Sequence, residues 1–260
     1  MTPTGVEHAS LVLLAKSNEV QQVRGLAEVL ASFGTEHLVD GYHEVMRLAP
    51  RRPRDGKEFF VERRSRRIRR KDPKPTEDIL EMALVNSHAQ LPIRSGDVTV
   101  LMRQFPLFSS GSRKGVRAVD LVGHHEHRLW VIELKAQPSD EYGESPARAL
   151  LEGLIYAAVV EANNTEVAEE LRLKFDLEHR HPRPGIMIAA PSAYWMKWTP
   201  TPVTGEWWIQ YTRLAAELSE SIDTPIAMTD IGDVVLNLSH SVPRLDHEIK
   251  GHPVTYKREH

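Results

Sequence analysis

The chain contains no cysteine, which excludes disulfides, thiolate zinc sites and cysteine nucleophiles from its 260 residues. Any metal would have to be bound by carboxylates, carbonyls or histidines. Long apolar runs are also missing. The early run 11–15 is far too short to cross a bilayer, and the N-terminus lacks the pattern of a secretory signal. We therefore expect a cytoplasmic protein with no membrane partner.

Charge of one sign is concentrated in one segment. The formal net charge is only -3, but Arg51–Lys74 contains 12 Lys/Arg against 4 Asp/Glu. This composition suits a surface that neutralises phosphates, although Glu58 and Glu62 could instead pair with its arginines along a solvated helix. We interpret the segment as a linker or exposed arm. Its nucleic-acid contacts are predicted at Arg63, Arg64, Arg66, Arg67, Arg69 and Arg70.

Four regions follow from the patterning of the chain. Apolar residues recur at helical spacing over Ser17–Phe33, so residues 1–47 are predicted to be a helical segment. The basic linker or arm covers residues 48–75, and an α/β domain covers residues 76–240. The tail 241–260 is polar, and we expect it to be loosely held after Pro243.

The α/β domain is predicted to contain helices and strands in the order α-β-β-β-α-(α)-β. Thr76 is typical of a helix N-cap, and Pro146 suits the first turn of a longer helix. A further helix and a short strand are predicted after this core. The predicted helices are 77–86, Pro146–Ala162, Glu166–Glu178 and Trp207–Ile222, and the predicted strands are Val98–Met102, Val116–Gly123, Leu129–Ala136, Gly185–Ala190 and Val234–Leu238.

Two oppositely charged residues end the strand Leu129–Ala136. Glu133 and Lys135 are two apart and therefore share one face of the strand, while Trp130, Ile132 and Leu134 pack on the other. A four-residue turn over 124–127 would place Asp120 opposite Val131, on the face of Glu133. The two carboxylates would then have Cβ atoms about 7 Å apart, close enough to bind one hard cation.

These residue types can supply the two roles that phosphodiester hydrolysis needs, binding of a cation and orientation of the attacking water. Asp120 and Glu133, together with the carbonyl of Leu134, would bind Mg²⁺ or Mn²⁺, and Lys135 would orient the attacking water. The alternative interpretation is a surface Glu/Lys pair on a strand together with an unrelated turn aspartate, because charged residues are usually solvated.

The sequence Arg117-Ala-Val-Asp120-Leu-Val-Gly, followed by Leu129-Trp-Val-Ile-Glu133-Leu-Lys135-Ala, resembles motifs II and III of the PD-(D/E)xK nuclease superfamily. Val119 stands where the superfamily name has proline. The resemblance covers about residues 76–195 and implies a restriction-endonuclease-like αβββαβ core, with a mixed central sheet flanked by helices. It also implies a Mg²⁺-dependent nuclease that acts on DNA, and dimerisation is common among enzymes that cut duplex DNA.

The resemblance extends to two further positions. Many members carry an acidic residue on the helix before the strands, and both Glu77 and Glu81 fit that place. Glu77 is favoured because it falls in the first turn, although it could simply stabilise the helix dipole. RecB-like members carry Gln-x-x-x-Tyr on the later helix, where this chain has Glu152 and Tyr156. A surface ion pair between Arg148 and Glu152 is the alternative.

Other features predict less. Three histidines in one turn, His124, His125 and His127, cannot easily converge on zinc, and His179 and His181 are interpreted as loop residues. The late tryptophans could stack on bases but are more typical of a core. Two other function classes therefore remain: a nucleic-acid- or partner-binding module with little catalysis, and a metal-independent assembly subunit that uses the tryptophan-rich part. The late tryptophans are Trp195, Trp198, Trp207 and Trp208.

Overall fold

The computed structural model describes residues 9–17, 32, 34–49, 59, 77–107, 118–136, 144–198, 206–237 and 243–254. The strands are β1 Gln90–Ile93, β2 Gly96–Pro106, β3 Ala118–His125, β4 Arg128–Leu134, β5 Gly185–Ala190, β6 Ile226–Asp230, β7 Leu236–Asn237, β8 Arg244–Leu245 and β9 His252–Pro253. The helices are α1 Ser10–Ala15, α2 Thr35–Leu48, α3 Glu77–Asn86, α4 Pro146–Ala162, α5 Asn164–Phe175, α6 Ser192–Trp198 and α7 Glu206–Ser221.

A mixed sheet of seven strands forms the centre of the molecule, in the order β1-β2-β3-β4-β5-β6-β9. Strands β1 to β4 pair antiparallel, β5 is parallel to both β4 and β6, and β9 is antiparallel to β6. The predicted α/β class, with a mixed sheet flanked by helices, is confirmed. The sequence missed β1 and β6, and the strand expected at Val234–Leu238 is only the two-residue β7, which pairs with β8 outside the main sheet.

Each face of the sheet covers its own apolar cluster. Leu129 and Val131 of β4 pack with α4 and the other helices, except α3, on one face. Trp130 and Ile132, which alternate with them, pack on the opposite face with α3. This alternation follows from the two-residue period of a strand, and it confirms the predicted division of β4 into two faces.

Helix α4 is the long helix that the sequence predicted. Ser145 caps its N-terminus by accepting the Arg148 N–H at 3.2 Å, and Pro146 occupies the first turn. Gly153 allows α4 to approach β5 closely, since a Cβ there would lie 2.6 Å from Ile186 Cγ2. The helix is thereby held against the parallel strands that follow β4.

The turn between β3 and β4 differs from the prediction. It contains only Glu126 and His127, with φ of 43° and 65°, and the ladder pairs His125 with Arg128. Two positive φ values define the tight turn that matches the twist of a hairpin. The predicted pairing of Asp120 with Val131 is therefore wrong, because Val131 pairs with Val122. The shift is two residues, so every side chain keeps its face.

The described residues near each end of the chain contribute to the packing around the sheet. Helices α1 and α2 lie in the same apolar cluster as α4. Residues 243–254 were expected to be loosely held, but β8 and β9 pair with β7 and β6. Among the helices that the structure describes, none has both the length and the apolar character to cross a bilayer.

Two of the predicted segments fall largely outside the described residues. The helix expected at Ser17–Phe33 does so, as do the N-cap Thr76 and the basic segment. Within the basic segment the structure describes Phe59, which is buried and stacks on Phe105 at 5.6 Å between ring centroids.

Candidate metal centre

Strand β4 ends in the two charged residues that the sequence singled out. Glu133 is buried with 3% of its surface exposed, and Lys135, just beyond the strand, is buried with 5% exposed. The Lys135 N–H donates to the Ala189 carbonyl of β5 at 2.9 Å, which fixes the backbone after β4. Two buried ionisable side chains, Glu133 and Lys135, therefore lie together at the end of an otherwise apolar strand.

Asp120 reaches the same place from β3. Continuing the register of Leu121 with Ile132 puts Asp120 opposite Glu133, and its Oδ2 accepts the Leu134 N–H at 3.0 Å. The carboxylate thus occupies the position of a ladder acceptor where the β3–β4 pairing ends. The structure brings together the predicted residues Asp120, Glu133 and Lys135.

The acidic residues near this point fall into two groups, each with oxygen atoms within 4.8 Å of one another. One group joins Asp120 to Glu77 and Glu81 of α3, and the other joins Glu133 to Glu144 and Glu152. Asp120 and Glu133 therefore mark neighbouring groups of carboxylates. Oxygen donors of this kind suit hard divalent cations such as Mg²⁺ and Mn²⁺.

Lys135 is the counter-charge of the second group. Its Nζ lies 2.5 Å from Glu133 Oε1, 2.5 Å from Glu144 Oε2 and 3.4 Å from Glu152 Oε2. Burial alone would lower the pKa of Lys135, but the carboxylates outweigh burial and raise it well above its usual value. The lysine is therefore a fixed ammonium cation.

The carboxyl groups have strongly shifted pKa values. Burial, reinforced by the charge of Asp120, raises the pKa of Glu81 to about 8. Burial likewise raises the pKa of Asp120 to about 7, although Lys135 opposes the shift. The pKa of Glu133 is raised well above its usual value by burial and then by Asp120. A bound cation would relieve this crowding, because it favours the ionised form of each carboxylate.

One oxygen of Glu133 is left without a bond. In the described part of the chain, Oε2 is buried and has no hydrogen-bond partner, while Oε1 binds Lys135. A buried carboxylate oxygen is costly unless it is paired. The carboxyl groups of Asp120 and Glu152 lie within hydrogen-bond reach of Glu133. Oε2 can therefore be satisfied by a proton shared with a neighbouring carboxyl group or by a bound cation.

Glu152 forms the predicted ion pair with Arg148 and also faces Lys135. Glu152 Oε1 accepts from Arg148 Nε at 3.1 Å, which is the expected i,i+4 ion pair, while Oε2 faces Lys135. Burial would raise the pKa of Glu152, but Lys135, a hydrogen bond with Glu133 and Arg148 together lower it. Tyr156, one turn later on α4, is buried, and burial and the charge of Glu133 raise its pKa well above the usual value. The predicted Glu152–Tyr156 face thus points toward β4.

Glu144 is a residue that the sequence reasoning missed. It precedes the N-cap of α4, and its Oε1 also lies 3.0 Å from Arg148 Nη1. Tyr194 donates to the Glu144 carbonyl at 2.9 Å, and Tyr211 donates to the Pro146 carbonyl at 3.1 Å. The i,i+4 spacing of Glu144 and Arg148 was the only signal of this role in the sequence.

The aromatic residues of the late chain form a core. Trp195, Trp198, Trp207 and Trp208 are each at most 9% exposed, and neighbouring rings of this cluster lie 5.3–6.3 Å apart. The core interpretation is therefore confirmed. Through Tyr194 and Tyr211 the same cluster holds the loop that carries Glu144.

Two histidines of the β3–β4 hairpin contact backbone carbonyls. His124 Nε2 contacts the Glu178 carbonyl at 3.0 Å, and His125 Nδ1 contacts the Asp97 carbonyl at 2.9 Å. His179 Nδ1 accepts the Leu129 N–H at 3.2 Å, and burial lowers the pKa of His179 to about 4. Among the residues that the structure describes, both groups of candidate metal ligands consist of carboxylates. Arg63, Arg64, Arg66, Arg67, Arg69 and Arg70 lie outside the described residues.

No protein-family model matches the chain, and neither the curated proteins nor the solved structures contain a significant match.

Proposed function

We propose that this chain is a Mg²⁺-dependent nuclease that hydrolyses phosphodiester bonds, with DNA as the expected substrate. The observation that carries the proposal is the convergence of Asp120, Glu133 and Lys135 at the end of β4, with one oxygen of Glu133 buried and unpaired. A restriction-endonuclease-like core is part of the proposal. It is supported by the order of α3, the antiparallel strands, α4 and the parallel strand β5.

The residues of the site have distinct roles in this proposal. Asp120 and Glu133 would hold the cation, with the Leu134 carbonyl as a further oxygen ligand, since the Leu134 N–H already anchors Asp120. When bound, Mg²⁺ polarises the phosphate and lowers the pKa of a coordinated water. Lys135 keeps a full positive charge and would position that water or offset the charge that develops on the phosphate.

The remaining residues orient these groups. Glu144 and Glu152 hold the Lys135 ammonium group from the side of α4, and Arg148 contacts both carboxylates. Tyr156 lines the same region behind Glu133. The arginines of Arg51–Lys74 supply the proposed contacts to the nucleic-acid backbone.

A cleavage assay tests the proposal. Purified protein is incubated with single- and double-stranded DNA and RNA in Mg²⁺ or Mn²⁺, beside Asp120→Ala and Lys135→Ala. Two matched controls, Asp246→Ala and Lys250→Ala, change exposed residues distant in sequence from the site. We expect cleavage that needs the cation, is lost in both site variants and is kept in both controls. Cleavage that survives Asp120→Ala and Lys135→Ala would overturn the assignment.

A binding module with little catalysis is the second candidate. One observation favours it: the Lys135 ammonium group is enclosed by three carboxylates and is nearly inaccessible. Salt-sensitive binding of nucleic acid, with no cation-dependent cleavage of any substrate, is the result that this candidate predicts.

A further inference from the structure

Gln104 occupies an unusual backbone position in β2. Its φ is 51°, which is a left-handed conformation. This conformation is unfavourable for most residues other than glycine, asparagine and aspartate. The β2–β3 ladder pairs Arg103 with Leu121 and Phe105 with Val119, so Gln104 lies opposite Asp120. The strained residue is thus the direct neighbour of a proposed metal ligand.

The regular alternation of side chains along β3 is broken at the same point. Val119 packs in the cluster that contains α4, whereas Leu121 packs in the cluster that contains α3. Residues two apart share a face in a regular strand, so β3 must twist at Asp120. The left-handed residue Gln104 lies across from this twist.

The side chain of Gln104 binds Glu81, one of the two α3 carboxylates grouped with Asp120. Its Nε2 donates to Glu81 Oε1 at 3.0 Å and to Oε2 at 3.0 Å. Glu81 is 2% exposed, and its oxygens lie in the same group as those of Asp120. Each carboxylate oxygen has two lone pairs and can accept from Gln104 while also binding a cation.

Glu77 is held differently. Its one hydrogen bond in the described part of the chain comes from the Ala136 N–H at 3.4 Å, beyond the usual optimum. Arg103 adds to the support of Glu81, since its Nη1 lies 2.6 Å from Asp78 Oδ1 and 3.4 Å from Glu81 Oε2. Glu81 is therefore the more firmly oriented of the two α3 carboxylates.

We propose that Gln104 is a positioning residue whose left-handed backbone and amide hold the Glu81 carboxylate beside Asp120, so that Glu81 rather than Glu77 completes the cation site. This inference rests on the proposed function. It explains why a glutamine stands where glycine would be less strained: glycine would suit the backbone but could not orient Glu81.

A double-mutant cycle on Mn²⁺ affinity tests the inference, with titration calorimetry as the readout. Gln104→Gly accepts the backbone conformation and removes only the amide side chain. We expect it to weaken Mn²⁺ binding about 10-fold while the protein stays folded. In the Glu81→Gln background the same change should have less than about a 2-fold effect, whereas in Glu77→Gln it should keep its full effect.

Asp176→Gly is the matched control, because Asp176 also has a left-handed backbone, with φ of 54°, at the exposed end of α5. It should leave Mn²⁺ affinity unchanged. The inference is overturned if Gln104→Gly binds Mn²⁺ as the wild type does, or if it is coupled to Glu77 instead of Glu81. Mn²⁺ binding with this coupling but no cleavage would refute the nuclease and keep the positioning role. Cleavage without this coupling would support the nuclease and refute the positioning role. A wild type that binds no Mn²⁺ would refute both proposals.

Discussion

Asp120 and Glu133 lie opposite each other across the β3–β4 ladder, and the Asp120 carboxylate takes the Leu134 N–H at 3.0 Å in place of a backbone acceptor. Two buried carboxylates are thereby fixed on neighbouring strands. Their mutual repulsion is one cause of the raised pKa of Glu133. The arrangement is unfavourable for the metal-free protein and favourable for a protein that binds a cation between the strands.

Asp120→Asn should separate the cost of the Asp120 carboxylate in the metal-free protein from its benefit in cation binding. Asparagine keeps the acceptor for the Leu134 N–H, so we expect the fold to be retained and the metal-free protein to be at least as stable as the wild type at pH 8. Mn²⁺ affinity should fall at least about 10-fold, or about 1.4 kcal/mol, since an anionic ligand is lost. Calorimetry and thermal melts measure both quantities. Unchanged Mn²⁺ affinity would exclude Asp120 as a ligand, and Asp246→Asn serves as the exposed control.

The contribution of two site carboxyl groups to the stability of the metal-free protein should fall as pH rises from about 4 to about 8, while the lowered pKa of His179 acts in the opposite direction below about pH 6.5. The pKa of Glu81 is raised to about 8 and that of Asp120 to about 7, so the folded state holds protons that the unfolded chain has already released. Their stabilising effect is complete below the unfolded pKa values and is lost as pH passes the folded ones. One pKa unit corresponds to about 1.4 kcal/mol, so the loss should be on the order of a few kcal/mol.

Thermal melts in chelator across this pH range test the prediction. Added Mn²⁺ should raise the melting temperature more at pH 8 than at pH 5, because the cation competes with protons for the same carboxylates. Glu81→Gln should flatten the pH profile. A wild-type profile that rises toward pH 8 in chelator would contradict the shifted pKa values.

Glu144→Gln should impair cleavage more than metal binding. Glu144 pairs with Lys135 and Arg148 but is 37% exposed at its side chain, so its loss should cost no more than about 1 kcal/mol, or about 5-fold in kcat. Mn²⁺ affinity should stay within about 2-fold of the wild type if the cation lies at Asp120 and Glu133. An equal loss of affinity in Glu144→Gln and Asp120→Asn would place the cation in the group of Glu133, Glu144 and Glu152 instead.

The sequence predicted the composition of the candidate site better than its geometry. Side chains two apart on a strand share a face, and this geometry alone assigned Glu133 and Lys135 to one face. The apolar run of β4 is buried on both sides and shows no alternation of its own. The register could not be predicted, since Glu126 and His127 lack the Asn-Gly signal of a two-residue turn. The predicted register was wrong by two residues, and an even shift leaves Asp120 on the same face as Glu133.

Other parts of the fold and the site left a weak signal in the sequence or none. Strand β1 contains Pro92, which argues against a strand, and β6 is only five residues long. Glu144 lies outside any periodic element, and its role depends on Tyr194 and Tyr211 holding its loop from distant parts of the chain. The proposed choice of Glu81 over Glu77 depends on Gln104, whose left-handed backbone the sequence could not reveal.

The β3–β4 turn offers a final test of the register that brings Asp120 and Glu133 together. Glu126 and His127 both adopt positive φ, at 43° and 65°, without being glycine or asparagine. Replacing them by Asn-Gly, as Glu126→Asn with His127→Gly, should relieve this strain and raise the free energy of unfolding by roughly 1 kcal/mol. The two ion pairs lost are long, at 3.6 Å from Glu126 to His125 and 3.8 Å from His127 to Glu178, and each has at least one exposed partner, so they contribute little. The measurement is the midpoint of denaturant unfolding, with His127→Ala as the control that keeps the strain. Because a four-residue turn would gain nothing from Asn-Gly at these two positions, unchanged or lower stability would contradict the pairing of His125 with Arg128, and with it the placement of Asp120 opposite Glu133.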